Sequence, residues 1–176
     1  AGTISADTMT EEKYTAYTNG LKTALDIGFE ILAQGGTSLD AVEASVKSLE
    51  DCPLFNAGKG AVFNNAGIHE MDAAIMNGSD KTAGAVCGIS IARNPVQVAR
   101  AVMERTAHVL LSGAGADFFA QEQKLPVEEA SYFYNQYRYE QWQEALLEGT
   151  VQLDHSEKKM GTVGAVALDI HGNLAA

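Results

Sequence analysis

The apolar positions of this chain change period as it runs. Near the start, Tyr14, Tyr17, Leu21, Leu25, Phe29 and Leu32 recur at helical spacing behind a capping pattern at residues 8–11. This predicts a helix with those six side chains as its buried stripe. Gly35 and Gly36 end it, since glycine takes the left-handed conformation that closes a helix. A second capping pattern at 37–40 opens a second stripe of Leu39, Val42, Val46 and Leu49, and Pro53 forbids its continuation. Two helices joined by so few residues are expected to be antiparallel neighbours.

Residues 55–67 form a loop rich in Gly, Asn and Ala, and then the period falls to two. Residues 69–76 and 82–91 read as strands joined across a turn at 77–80. The second carries small residues on both faces, among them Gly84, Ala85 and Gly88. Such a strand is covered on both sides or lies against another backbone. Asn94-Pro95 opens a third helix with Val96, Ala99, Val102 and Met103 on its apolar side. A short strand at 109–111 and a long aromatic helix at 128–148 follow, with Tyr132, Tyr139, Trp142 and Leu146 spaced to pack. Residues 150–159 are polar and read as a flexible linker.

Residues 162–168 then read as a buried strand, 169–172 as a turn with Gly172 at its left-handed position, and 173–176 as the start of another strand. That last run carries no polar tail or cap. It is either a short edge strand, or part of a sheet whose next residues lie beyond Ala176. Helices come first, strands in the middle and at the end, without strict βαβ alternation. The prediction is one α+β domain over 1–176, with layered sheets.

Charge narrows the partners. There are 23 acidic and 12 basic residues, a net charge of −11. No basic patch is available for nucleic acid or an anionic membrane, and no apolar run reaches membrane-spanning length. The two cysteines, Cys52 and Cys87, form no close-spaced motif. Neither a disulfide framework nor a zinc site is expected, and free thiols suit a reducing, cytoplasmic setting.

Candidate chemistry is sparse. Gly113-Ala114-Gly115 begins like a dinucleotide-binding turn, but Phe118 holds the third glycine position. His69, Glu70 and Asp72 lack metal-protease spacing, and strand alternation divides neighbours between faces. There is no Gly-x-Ser-x-Gly elbow. No complete catalytic set is visible, as expected if the nucleophile sits on a second chain. The end of the second helix leaves carbonyls without intrahelical partners, at the negative pole of the helix dipole, with Pro53 holding the next loop open. Such carbonyls suit a hard cation. The alternative, which the pattern alone favours, is a glycine-containing turn satisfied by water.

Four runs carry a resemblance: CPLFNAGKGAVF at 52–63, HEMDA at 69–73, AGAV at 83–86, and GTVGAVALD at 161–169 with GNLAA at 172–176. In this order they resemble the plant-type L-asparaginase / isoaspartyl peptidase family of N-terminal-nucleophile hydrolases, over nearly the whole chain. The resemblance implies an αββα sandwich of which this chain supplies about half. It implies the α subunit of a self-cleaving precursor, with the scissile bond at or just after Ala176. A threonine following that bond becomes the β subunit's first residue and the nucleophile. The implied substrates are L-asparagine and β-aspartyl dipeptides, and the implied assembly is an (αβ)2 heterotetramer.

No catalytic cofactor is implied, but a structural sodium is. Its ligands would be the main-chain oxygens of Leu49, Glu50, Cys52, Phe55, Ala57 and Lys59. Asn56 would support the nucleophile, the alternative being a turn asparagine bonding its own backbone. The resemblance also implies a natural start upstream of Ala1 and a longer segment between Ser156 and Glu157. A relative acting on glycosylated asparagine or on proteins, or an unprocessed non-catalytic subunit, remains open.

Overall fold

The computed structural model describes residues 9–148 and 162–176. The linker expected at 150–159 and the junction at 156–157 lie outside the described residues. Helix α1 spans Glu11–Ala33, and its cap is Thr10, whose hydroxyl accepts from the Lys13 amide at 3.3 Å. The cap thus falls two residues later than a start at Thr8. Gly35 (φ 81°) closes the helix, and α2 runs Ser38–Glu50 behind Thr37, whose hydroxyl caps the Asp40 amide.

The two helices lie antiparallel, but not by the stripe the sequence marked. Leu21, Leu25 and Phe29 are exposed; Ala24 and Gly28 are buried. The reason is close backbone approach. A Cβ at Gly28 would stand 2.3 Å from the Ser45 hydroxyl oxygen and 3.1 Å from the Ala41 carbonyl, and Ser45 donates to the Ala24 carbonyl at 3.0 Å. Helices this close meet along small residues, which turns the large apolar ones outward.

Strands β1 (Met71–Met76) and β2 (Ala83–Ile89) form the expected antiparallel hairpin, and β3 (Leu110–Ser112) lies parallel to β2. Between them, α3 (Pro95–Arg105) crosses the sheet. It rests directly on β2, since a Cβ at Gly84 would lie 2.2 Å from the Ala99 carbonyl oxygen. The small-residue strand therefore does lie against another backbone. Helix α4 (Gly113–Glu122) starts on the Gly113-Ala114-Gly115 run. The core gathers Ile75, Val86, Ile89, Val98, Val102 and Phe133.

The single helix expected at 128–148 is two: α5 (Ala130–Phe133) and α6 (Gln136–Glu148). Asn135 makes the break, because its side-chain oxygen accepts from the amides of Tyr137 and Arg138 and starts α6 afresh. Phe133 is fully buried, whereas Leu146 is exposed.

At the end of the chain, only Ala167–Leu168 (β4) of the expected long strand forms a ladder, with Leu174–Ala175 (β5). Thr162, Gly164, Val166 and Leu168 are exposed rather than buried. Strand β5 is paired on its other side too: Ala176 exchanges two bonds with Met76 (2.8 and 3.2 Å), and Gly78 donates to the Leu174 carbonyl at 2.7 Å. The last strand thus joins β4 to β1. The turn between β4 and β5 has Gly172 at φ 82°. The Asp169 carboxylate accepts there from His171 and Asn173, and also from the Ser38 amide at the start of α2. One sheet face lies under the helices. The other leaves Ala74, Met76, Leu110, Leu168 and Leu174 exposed.

Candidate functional site

The loop that leaves α2 folds back on itself. Asp51 caps the helix, and a 3₁₀ turn at Gly58–Gly60 closes the loop. Gly58 has φ 50°, and a Cβ on it would stand 2.4 Å from the Glu50 carbonyl oxygen. A Cβ on Gly60 would stand 2.1 Å from the Phe55 carbonyl oxygen and 2.7 Å from that of Pro53. Only glycine permits this fold, and its result is a crowd of main-chain oxygens.

These oxygens divide into two sets. Donors from elsewhere take the carbonyls of Pro53, Leu54 and Gly60: Asn135 Nδ2 reaches Pro53 at 3.1 Å, Tyr17 Oη and Arg138 Nη2 reach Leu54 at 3.0 and 3.3 Å, and Arg138 Nε reaches Gly60 at 3.0 Å. The second set is the group named from the resemblance. Leu49, Cys52, Phe55 and Ala57 each give one lone pair to a turn bond within the loop, to the amides of Cys52, Phe55, Ala57 and Gly60 respectively. A carbonyl oxygen has a second lone pair to offer. Among the described residues, no donor reaches the carbonyls of Glu50 and Lys59. The donor set, neutral oxygens at a helix C-terminus, fits a hard monovalent cation.

Asn56 sits inside this loop, and its side-chain oxygen accepts from the Val62 amide at 3.1 Å. It therefore ties the loop across six residues. Ala176 follows β5 and pairs with Met76. The six carbonyl residues thus run from the end of α2 (Leu49, Glu50) through the loop that carries Asn56 to the 3₁₀ turn, and Ala176 lies in the sheet.

Sequence reasoning took Glu50 for its carbonyl only and missed its side chain. The Glu50 side chain is buried, and its Oε1 accepts from the Val96 amide at the start of α3, at 3.0 Å. Burial pushes its carboxyl up to about 8, with the neighbouring Asp51 adding to the rise. The available signal was a carboxylate at the buried end of an apolar stripe. Asp51 accepts from Arg93, Asn94 and Tyr132. The Tyr132 ring meets the ammonium of Lys59 at 5.2 Å and the Arg93 guanidinium at 5.4 Å. Helices α5 and α6 therefore grip the loop along its length.

The other sequence candidates have structural partners. His69 is buried, with Nδ1 3.2 Å from the Val62 carbonyl oxygen and its ring 4.0 Å from Phe63; burial lowers its pKa. Asp72 accepts from Gly88, and Asp117 from Ser90 and Ile91. Among the described residues, no three His, Cys, Asp or Glu side chains are grouped to hold a metal. No described helix is long and apolar enough to cross a membrane.

The family model described as Asparaginase matches residues 1–176. The chain belongs to this asparaginase family. Among curated proteins, the Isoaspartyl peptidase of Escherichia coli (strain K12) is 46% identical over 182 residues, covering 100% of this chain and 57% of that protein. That of Salmonella typhimurium is also 46% identical, over 58% of its length. The Isoaspartyl peptidase/L-asparaginase of Bos taurus is 41% identical over 97% of this chain and 55% of its own length. The chain thus spans a little over half the length of these relatives. The family match agrees with the mixed helix and sheet composition of the fold.

Proposed function

We propose that this chain is the α part of an autoprocessed threonine amidohydrolase that converts L-asparagine and β-aspartyl dipeptides to L-aspartate. The observation that carries this reading is the match along the whole chain to proteins named for those activities. The partial span of those relatives supports a second, β part.

The chemistry follows from where a nucleophile joined to Ala176 would sit. A threonine hydroxyl is a weak nucleophile without a base. Once the preceding peptide bond is cut, its own α-amine, titrating near ~8, takes the hydroxyl proton close to neutral pH. The oxygen attacks the side-chain amide carbon, ammonia or the amine of a dipeptide leaves, and water hydrolyses the resulting β-aspartyl ester. Asn56 supports the nucleophile from the α2 loop. Leu49, Glu50, Cys52, Phe55, Ala57 and Lys59 hold a structural sodium through their carbonyls, and the cation stiffens the loop that carries Asn56.

The open sheet face supports the αββα sandwich, because Met76, Leu110, Leu168 and Leu174 on it are apolar and need a cover. A second sheet contributed by the β part is that cover. The assembly is an (αβ)2 heterotetramer in the cytoplasm. The competing readings are action on glycosylated asparagine and a subunit that never processes.

The test uses the full-length protein with asparagine, a β-aspartyl dipeptide and glycosyl-asparagine as substrates. Turnover of the first two, with two chains split at or just after Ala176 in the mass spectrum, is expected. Changing the following threonine to alanine should leave one uncleaved, inactive chain. Cleavage of that variant at the same junction refutes self-processing, and turnover of glycosyl-asparagine alone moves the substrate.

A further inference from the structure

Arg138 is a buried cation with an unusual set of partners. Its guanidinium donates through Nε to the Gly60 carbonyl at 3.0 Å, through Nη2 to Leu54 at 3.3 Å, and through Nη1 to the Gln141 side chain at 3.0 Å. Among the described residues, no carboxylate lies within ion-pair distance of it. A buried charge without a counter-ion is costly. Here the compensation comes from carbonyl dipoles, and two of the three belong to one loop.

The carbonyls it takes interleave with those assigned to the cation. Pro53, Leu54 and Gly60 face donors from α1, from Asn135 just before α6, and from α6, while Leu49, Glu50, Cys52, Phe55, Ala57 and Lys59 are left to one another. Each peptide unit is planar, so holding the Leu54 carbonyl also aims the Phe55 amide at the Cys52 carbonyl (3.4 Å), and holding the Gly60 carbonyl aims the Ala61 amide at Gly58 (3.0 Å). Asn56 lies between the two anchor points, and its bond to Val62 closes just past the second. We propose that Arg138 is a positioning residue, a built-in cation on α6 that sorts the loop's carbonyls and so places Asn56 and the sodium ligands. Its catalytic consequence rests on the functional reading above; its effect on the loop does not.

Two bonds from one planar fork need arginine, since a lysine ammonium is a point charge that cannot span both carbonyls. The test compares Arg138→Ala and Arg138→Lys in the full-length protein, with Arg105→Ala as control, because among the described residues the exposed Arg105 bonds only the half-buried Gln123. Hydrogen exchange reads the loop directly. Protection of the Val62 amide should fall about tenfold in Arg138→Ala, as for one lost hydrogen bond, while the Ala85 and Met76 amides in the sheet keep theirs. In turnover, kcat should drop on the order of ~10²-fold, as for misplacement at a reacting centre, with KM held. Lysine should not restore it, whereas added guanidinium at millimolar concentration should rescue Arg138→Ala and leave Arg105→Ala unchanged. Unchanged Val62 protection in Arg138→Ala overturns the proposal, with or without activity. So does wild-type kcat in Arg138→Lys. If the wild-type protein turns over none of the substrates, the functional reading falls, and the exchange experiment still decides the role of Arg138.

Discussion

Gly84 is a position where a single methyl group should do heavy damage to the core. It faces α3 from β2, and an added Cβ would stand 2.2 Å from the Ala99 carbonyl oxygen, 2.6 Å from the Met103 amide nitrogen and 2.8 Å from the Met103 Cβ. Two of these are backbone, so no rotamer change relieves the clash. Helix α3 has to retreat by about 1 Å, which forfeits roughly a quarter to a half of the dispersion attraction of its buried face. Spread over Val96, Ala99 and Val102, all fully buried, the loss comes to about 2–4 kcal/mol. The smaller conformational entropy of an unfolded alanine returns about 0.4–1 kcal/mol. The net for Gly84→Ala is a loss of about 1–3.5 kcal/mol, a fall in Tm of roughly 3–10 °C. The assay is thermal unfolding of the full-length protein, with Gly115→Ala as comparator. A Cβ at Gly115, on α4, meets nothing within 4 Å, so that variant should gain about 0.5–1 kcal/mol. If Gly84→Ala melts at or above wild type, or if both variants fall equally, the contact between β2 and α3 is not as described.

Three further outcomes are expected. Phe133→Ala empties a fully buried site and should cost about 3–5 kcal/mol, read from the midpoint of denaturant unfolding; a loss under 1 kcal/mol would place the ring outside the core. His69 has its pKa lowered by burial, so the unfolded chain binds the proton more readily, and the stability His69 contributes is complete above ~6.5 and lost as pH falls through the folded value. The Tm difference between wild type and His69→Gln should therefore shift against wild type from pH 7.5 to pH 5, and a constant difference refutes the burial argument. Finally, sodium should raise Tm more than an equal concentration of tetramethylammonium, growing as RT ln(1 + [Na⁺]/Kd); equal responses would leave only ionic screening.

Most of the local structure could be read from residue types. Thr37, Gly35, Pro95 and the 77–80 turn mark their element ends, because each acts through its own backbone or nearest neighbours. What could not be read is what depends on partners distant in sequence. The stripe of Leu21, Leu25 and Phe29 has helical spacing, but spacing does not say which side of α1 meets α2; Gly28 against Ser45 decides that. The break at Asn135 was hidden because aromatic spacing runs through it. In the site, the glycine-containing stretch after α2 was legible, whereas its six carbonyl residues were named from the resemblance; they run from the end of α2 to the 3₁₀ turn. The donors that sort them, Tyr17, Asn135 and Arg138, come from α1 and from the start of α6. No local pattern connects 17 or 138 to 54.

The pairing of β5 with the end of β1 sets the order in which the molecule can assemble. The hairpin of β1 and β2, with α3 folded over it, closes within some thirty-five residues of sequence, as Met71 to Arg105. The bonds from Met76 and Gly78 to Ala176 and Leu174 instead join residues about a hundred positions apart. Closing so long a loop is entropically expensive and slow. On a ribosome adding roughly 5–20 residues per second, the edge of β1 would wait several seconds for its neighbour. During that wait an unpaired strand with Met76 at its tip is a template for other chains. Strand β5, made about a hundred residues after β1, is therefore the one that covers this edge of the sheet, and aggregation of nascent chains should be sensitive to substitutions at Leu174 and Ala175.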